Sequence, residues 1–225
     1  MADDRTRETW LDLIMNVAAP AAILLTLTSE DRLGPIWGLV VALAFPIGHA
    51  VRSVWRAEKT SPFSWLALVS VTLTGGIGLM ELDAGWLAIK EAALPAGLGV
   101  LALVSSSRGG PGIEFLLGRL LDADAMNRAL VERGTLNEWA ASAALATRRT
   151  GYILFMSAIA NFALARTLVL SEGGSQAFAE ELGRFTALSF PVIGLPTTLL
   201  MGWVLRDLLL AMEKYTDQPV DTWMS

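Results

Sequence analysis

The stretch from Leu82 to Leu103, LDAGWLAIKEAALPAGLGVLAL, decides how this chain is read. It is long and apolar enough for a bilayer span, which needs roughly 20 residues. Yet Lys90 and Glu91 stand side by side inside it, and Pro95 follows four residues after Glu91. Charges in hydrocarbon are costly, so such residues sit near an edge, find partners or mark a site. Trp86 places the start of the span at an interface, because indole prefers the headgroup zone. Lys90 is four residues deeper, about 6 Å along a helix. Its stem can snorkel back outward, or its ammonium can cover the Trp86 ring. Glu91 is shorter and one residue deeper. Neighbouring helix positions point roughly 100° apart, so the two charges are expected to seek partners elsewhere rather than each other. Glu81 and Asp83 precede the span, and Arg166 lies near the same membrane face. The expectation is an outer polar cluster of Glu81, Asp83, Lys90, Glu91 and Arg166. It is either an ion-pair network that fixes helix packing or a solvent-open vestibule. Pro95 is expected to kink the helix, with Glu91 turned inward.

The rest of the chain has the same character. Of 225 residues, 53% are hydrophobic and only 17% are charged. Soluble domains average nearer a quarter charged, so the composition points to a polytopic membrane protein. There is no cysteine and a single histidine, His49. That excludes disulfides and thiolate metal sites, and no metal or cofactor is expected. The net charge of −5 argues against a nucleic-acid partner. The N-terminal MADDRTRETW lacks the basic start and apolar core of a signal peptide, so the first span is expected to remain. Nucleophile-elbow, zincin, phosphate-loop and dinucleotide motifs are all missing, so no enzyme is expected.

Six stretches are long and apolar enough to span: residues 10–27, 35–54, 63–80, 86–104, 152–170 and 185–205. The fold class is all-α, a six-helix transmembrane bundle forming one integral membrane domain over residues 1–225. Trp10, Trp37, Trp55, Trp65 and Trp86 cluster at span ends as an aromatic belt. Basic residues set the orientation. Thirteen of them, among them Arg52, Arg108, Arg148, Arg149 and Arg206, fall on one side. Only Arg32, Lys90, Arg166 and Arg184 fall on the other. By the positive-inside rule, both termini and the long connection 105–149 are cytoplasmic. That connection opens with the flexible SSSRGGPG. It continues with Ile113, Leu116, Leu117, Leu120 and Leu121 at helical spacing, an amphipathic helix that lies on the membrane or packs under the bundle. The segment LNEWAASAALATRR is expected to run as helix into the fifth span.

Prolines mark kinks at Pro20, Pro46, Pro95, Pro191 and Pro196. Pro20 and Pro95 would each release the carbonyl of a polar residue, Asn16 or Glu91, in the matching contexts NVAAPA and EAALPA. This suggests two inverted three-helix halves. A competing self-similarity relates ALAFPIG to ALSFPVIG, with Asn16 and Asn161 each 30 residues before Pro46 and Pro191. Gly75, Gly76, Gly97 and Gly99 allow close helix approach or a partly unwound segment. Near the cytoplasmic side, Asp12 is a plausible partner for Arg206, and His49 is an interface residue or a proton relay.

ALAFPIGHA, LTGGIGLMELD and WLAIKEAALP together resemble a family of uncharacterised bacterial inner-membrane proteins related to the intracellular septation protein A type. Its members are often grouped with transporters. The resemblance implies an inner-membrane location and carries no substrate or catalytic residue. The resulting expectation is a small transporter or channel-like protein for a solute or ion, with Asn16, His49 and the outer cluster along its route. The alternative is an envelope scaffold. The partners expected are the lipid bilayer, a small solute or ion, and further copies of the chain.

Overall fold

The computed structural model describes residues 18–56, 69, 73–77, 80, 82–108, 112 and 122–223. Every regular element among them is helical. The helices are α1 (Ala19–Thr26), α2 (Gly34–Arg56), α3 (Ala84–Arg108), α4 (Ala123–Arg133), α5 (Leu136–Leu168), α6 (Gln176–Ser189) and α7 (Leu195–Thr216). A π-helical turn, Phe190–Gly194, joins α6 to α7, and a 3-10 turn, Val220–Trp223, follows α7. Residues 73–77 are also helical. The expected amphipathic helix at residues 113–121, residues 10–17 of the first span, most of the third span, Asp12, Asn16 and Glu81 lie outside the described residues. Pro46 and His49 fall within α2, and their side chains also lie outside them.

Three helices among the described residues are long and apolar enough to cross a membrane: Ala84–Ser107, Leu136–Leu168 and the continuous run Gln176–Thr216. They contain the fourth and sixth expected spans, and the fifth as far as Leu168. The helix start at Leu136 bears out the expectation that LNEWAASAALATRR leads into the fifth span as helix. The second expected span, 35–54, falls within the helix Gly34–Arg56.

The prolines are accommodated in different ways. Pro20 lies at the start of α1, two residues after the π-helical Ala18. Pro95 sits inside α3, and the helix continues past it to Arg108. Pro191 occupies the π turn. A proline ring clashes with the carbonyl four residues earlier, and widening the turn to i→i+5 spacing relieves that crowding. Pro196 follows at the first turn of α7.

The chain forms two compact units, Met1–Ala92 with Ala160–Ile193, and Ala93–Ile159 with Gly194–Ser225. In the first, α1 packs on α2 and α6. Leu24, Leu39, Leu87, Val169, Phe178 and Phe185 form its core. Small residues let the backbones approach. A Cβ at Gly183 would come 2.9 Å from Leu24 Cβ, and one at Gly75 would come 2.8 Å from Leu43 Cδ1. Gly75 therefore serves tight packing in a helical segment.

In the second unit, Gly99 of α3 and Gly151 of α5 meet backbone to backbone. A Cβ on Gly99 would stand 3.0 Å from Gly151 O, and one on Gly151 would stand 3.1 Å from Gly99 O. Gly97 is exposed, with open space at its Cβ position. Of the fourth-span glycines, Gly99 makes the close crossing. The helix α4 packs against α7. Met126, Leu130 and Trp139 form a core there with Val204, Leu208 and Met212. Asp122 caps α4 by accepting from Ala125 N at 3.0 Å. Gly134, at φ 70°, ends the helix in the left-handed conformation that suits glycine. Beyond it, Thr135 Oγ1 donates to the Tyr215 carbonyl at 2.9 Å, and Arg133 pairs with Asp217 at 3.1 Å.

Candidate functional site

The start of α3 gathers most of the polar residues singled out in its sequence. Asp83 precedes the helix, and its Oδ1 accepts from Gly85 N at 2.7 Å. It satisfies one of the N–H groups that a helix leaves unbonded in its first turn. Arg166, near the end of α5, reaches the same place. A Cβ on Gly85 would lie 2.6 Å from Asp83 Oδ1 and 3.4 Å from an Arg166 guanidinium nitrogen. The missing side chain of Gly85 is thus what lets the carboxylate and the guanidinium close over the helix start. The connection after α5 comes to the same corner, with Gly173 N donating to Leu82 O at 3.4 Å.

Lys90 and Glu91 lie about two turns further along α3. Their arrangement corrects the expectation drawn from helix geometry. Lys90 Nζ stands 2.5 Å from Glu91 Oε1, so the neighbours pair directly. The angle between adjacent Cα–Cβ bonds is real, but both stems are flexible and the four-carbon lysine stem spans the gap. The ammonium also donates to Thr74 Oγ1 at 2.5 Å. Thr74 belongs to the helical segment 73–77, so this contact fastens two helical segments together. Trp86 does not share the ammonium. The two cation–π contacts among the described residues are Arg149 over Trp203 and Lys214 over Tyr215. The Lys90 side chain is 12% exposed and that of Glu91 is 24% exposed. Neither charge is fully solvated, and each has the other as counter-charge.

The described members of the expected five-residue cluster fall at two places, with Glu81 outside the described residues. One is the Asp83–Gly85–Arg166 corner at the helix start. The other is the Lys90–Glu91–Thr74 site further in. In the second, a cation, an anion and a hydroxyl meet within hydrogen-bonding distance, with no net charge. Such a trio can open to coordinate a small polar guest. Among the described residues, no group of three His, Asp or Glu side chains comes together to hold a metal ion.

Two further polar contacts carry little signal along the chain. Glu181 of α6 accepts from Leu170 N at 2.8 Å, Ser171 N at 2.9 Å and Ser171 Oγ at 2.9 Å. It closes the end of α5 onto α6. In the other unit, Arg149 pairs with Asp207 at 2.9 Å and lies 5.1 Å from the Trp203 ring centroid. The expected partner at this end was Arg206, toward Asp12. Asp12 lies outside the described residues; Arg206 is exposed, and the adjacent Asp207 holds Arg149. A shift of one residue turns a helix side chain by roughly 100°. Which of two neighbouring charges faces inward is therefore set by the rotation of α7.

These long apolar helices place the chain among all-α membrane proteins. Compared with protein-family models, curated proteins and solved structures, it matches none.

Proposed function

We propose that this chain is a six-span, non-enzymatic protein of the bacterial inner membrane that moves a small solute or ion past the Lys90–Glu91–Thr74 site. The observation that carries this reading is the ion pair itself. It stands inside a membrane-length helix and shares a hydroxyl with a second helical segment. Ionisable residues at such positions are rare and usually belong to substrate or ion routes. The small-residue crossing of Gly99 and Gly151 and the π turn at Pro191 supply the close packing and irregular helix common in such proteins. The split of basic residues supports cytoplasmic termini. The resemblance of ALAFPIGHA and WLAIKEAALP to septation-type proteins supports the inner membrane.

The topology has its own check. Reporter fusions at Ser225 and Gly173 are expected to report opposite sides of the membrane. The same side for both would remove the six-span arrangement or its orientation.

Transport is tested in proteoliposomes that enclose a pH-sensitive dye, under imposed proton, sodium and potassium gradients. The wild-type chain is expected to dissipate at least one gradient faster than empty vesicles, and Glu91→Gln is expected to abolish the excess. Wild-type vesicles that leak no faster than empty ones for every ion would defeat ion movement. The docking of α4 on α7 favours the second reading, an envelope scaffold that presents a rigid helical surface to partners or to further copies of the chain.

A further inference from the structure

The adjacent arginines of α5 have different surroundings. Arg149 is committed to Asp207 and the Trp203 ring. Arg148 is exposed, and among the described residues no carboxylate lies within ion-pairing distance of it. It lines a half-open groove of about 380 Å³ between the end of α3 and α5. The other described walls include Leu103, Ser106, Ala144 and Tyr152. Ala144 adds only a methyl group to the groove wall.

The groove is ordered along its length. Leu103 belongs to the apolar part of α3, which gives way to serines at Ser105. On α5, Arg148 and Arg149 stand between the apolar Ala143–Ala146 and the apolar run that begins at Tyr152, one turn after Arg148. At the groove α3 thus turns from apolar to polar and α5 carries its arginine pair, as at the level where hydrocarbon meets headgroups. Ser106 donates its hydroxyl to the Leu103 carbonyl at 2.9 Å, so its proton is already used. The donors left to face a guest are the Arg148 guanidinium and the Tyr152 hydroxyl. A planar guanidinium suits a phosphate group, and basic pockets between membrane helices hold anionic headgroups.

We infer that this groove binds the headgroup of an anionic phospholipid. Its phosphate lies against Arg148 and Tyr152, its glycerol end over Ala144, and its acyl chains leave past Leu103. A soluble anion has no use for the apolar end of the groove, and a zwitterionic lipid brings a positive charge toward Arg148. The inference does not depend on transport.

The test uses the purified full-length chain, delipidated in a neutral detergent. Thermal unfolding is followed with phosphatidylglycerol, phosphatidylcholine or inorganic phosphate, and lipid retention is read by native mass spectrometry. Phosphatidylglycerol is expected to raise Tm by about 3 °C more than phosphatidylcholine, a size typical of modest ligand stabilisation in a chain this long. Phosphate alone should do nothing. Arg148→Ala should abolish the lipid preference, whereas Arg128→Ala, on the exposed face of α4, should retain it. Ala144→Leu fills the groove while keeping the guanidinium, and it too should lose the preference. That variant decides the matter if Arg148→Ala does not fold. Equal effects of the two lipids would overturn the proposal. So would an equal shift with phosphate alone, or a preference that survives in both groove variants.

Discussion

Replacing Lys90 with Met is expected to destabilise the protein by about 3 kcal/mol, the lower end of the range for breaking a buried ion pair. The lower end applies because Glu91, the group left behind, keeps 24% of its side-chain surface. The ammonium that Glu91 loses is its direct partner at 2.5 Å, and Thr74 loses a donor in the same step. Glu91→Gln is expected to cost less. The orphaned Lys90 still reaches Thr74, and its stem can carry the charge toward water. The double variant, Lys90→Met with Glu91→Gln, should recover much of the first loss because no uncompensated charge remains. Thermal stability in detergent across the four proteins measures the coupling. Strict additivity would mean that the pair does not act as a unit. If neither single change matters, both charges are solvated and the site loses its physical basis.

Truncating Leu130 to Ala should produce a loss of similar size, about 2–5 kcal/mol. Leu130 is fully buried, and its side chain belongs to the small core formed with Trp139, Leu208 and Met212. That core holds α4 against α7. The cavity left by truncation cannot collapse easily, because Gly134 and the Thr135–Tyr215 hydrogen bond pin the end of α4. Limited proteolysis should therefore cut the α4 region sooner in Leu130→Ala than in wild type. Val131→Ala is the matched control, since Val131 is 62% exposed. Equal protease resistance in all three proteins would show that α4 is held by something other than this core.

Hydropathy and helix punctuation made α2, α3, α5 and the α6–α7 run legible from the chain alone. Each is written locally, in some twenty consecutive residues whose transfer from water favours burial as a helix. The run LNEWAASAALATRR was legible for the same reason. So were Lys90 and Glu91 as the residues to watch, since charge in an apolar run is conspicuous without any fold. Gly99 was recognisable as a small residue suited to a close crossing, but its partner Gly151 was not. Nothing near Gly151 in sequence distinguishes it from other helix glycines.

What the chain alone determined is thus the set of apolar helices and the identity of the charges that interrupt them. Tertiary structure decided who partners whom. It closed Lys90 onto its own neighbour and onto Thr74, sixteen residues earlier. It gave Asp207 the partner Arg149, fifty-eight residues away, and it brought Glu181 to the end of α5. The physical reason is the same in each case. Helix formation depends on groups within four residues of one another, whereas a side-chain contact depends on the rotation of two helices and the reach of flexible stems. A turn of roughly 100° per residue lets one step along the chain replace one partner with another.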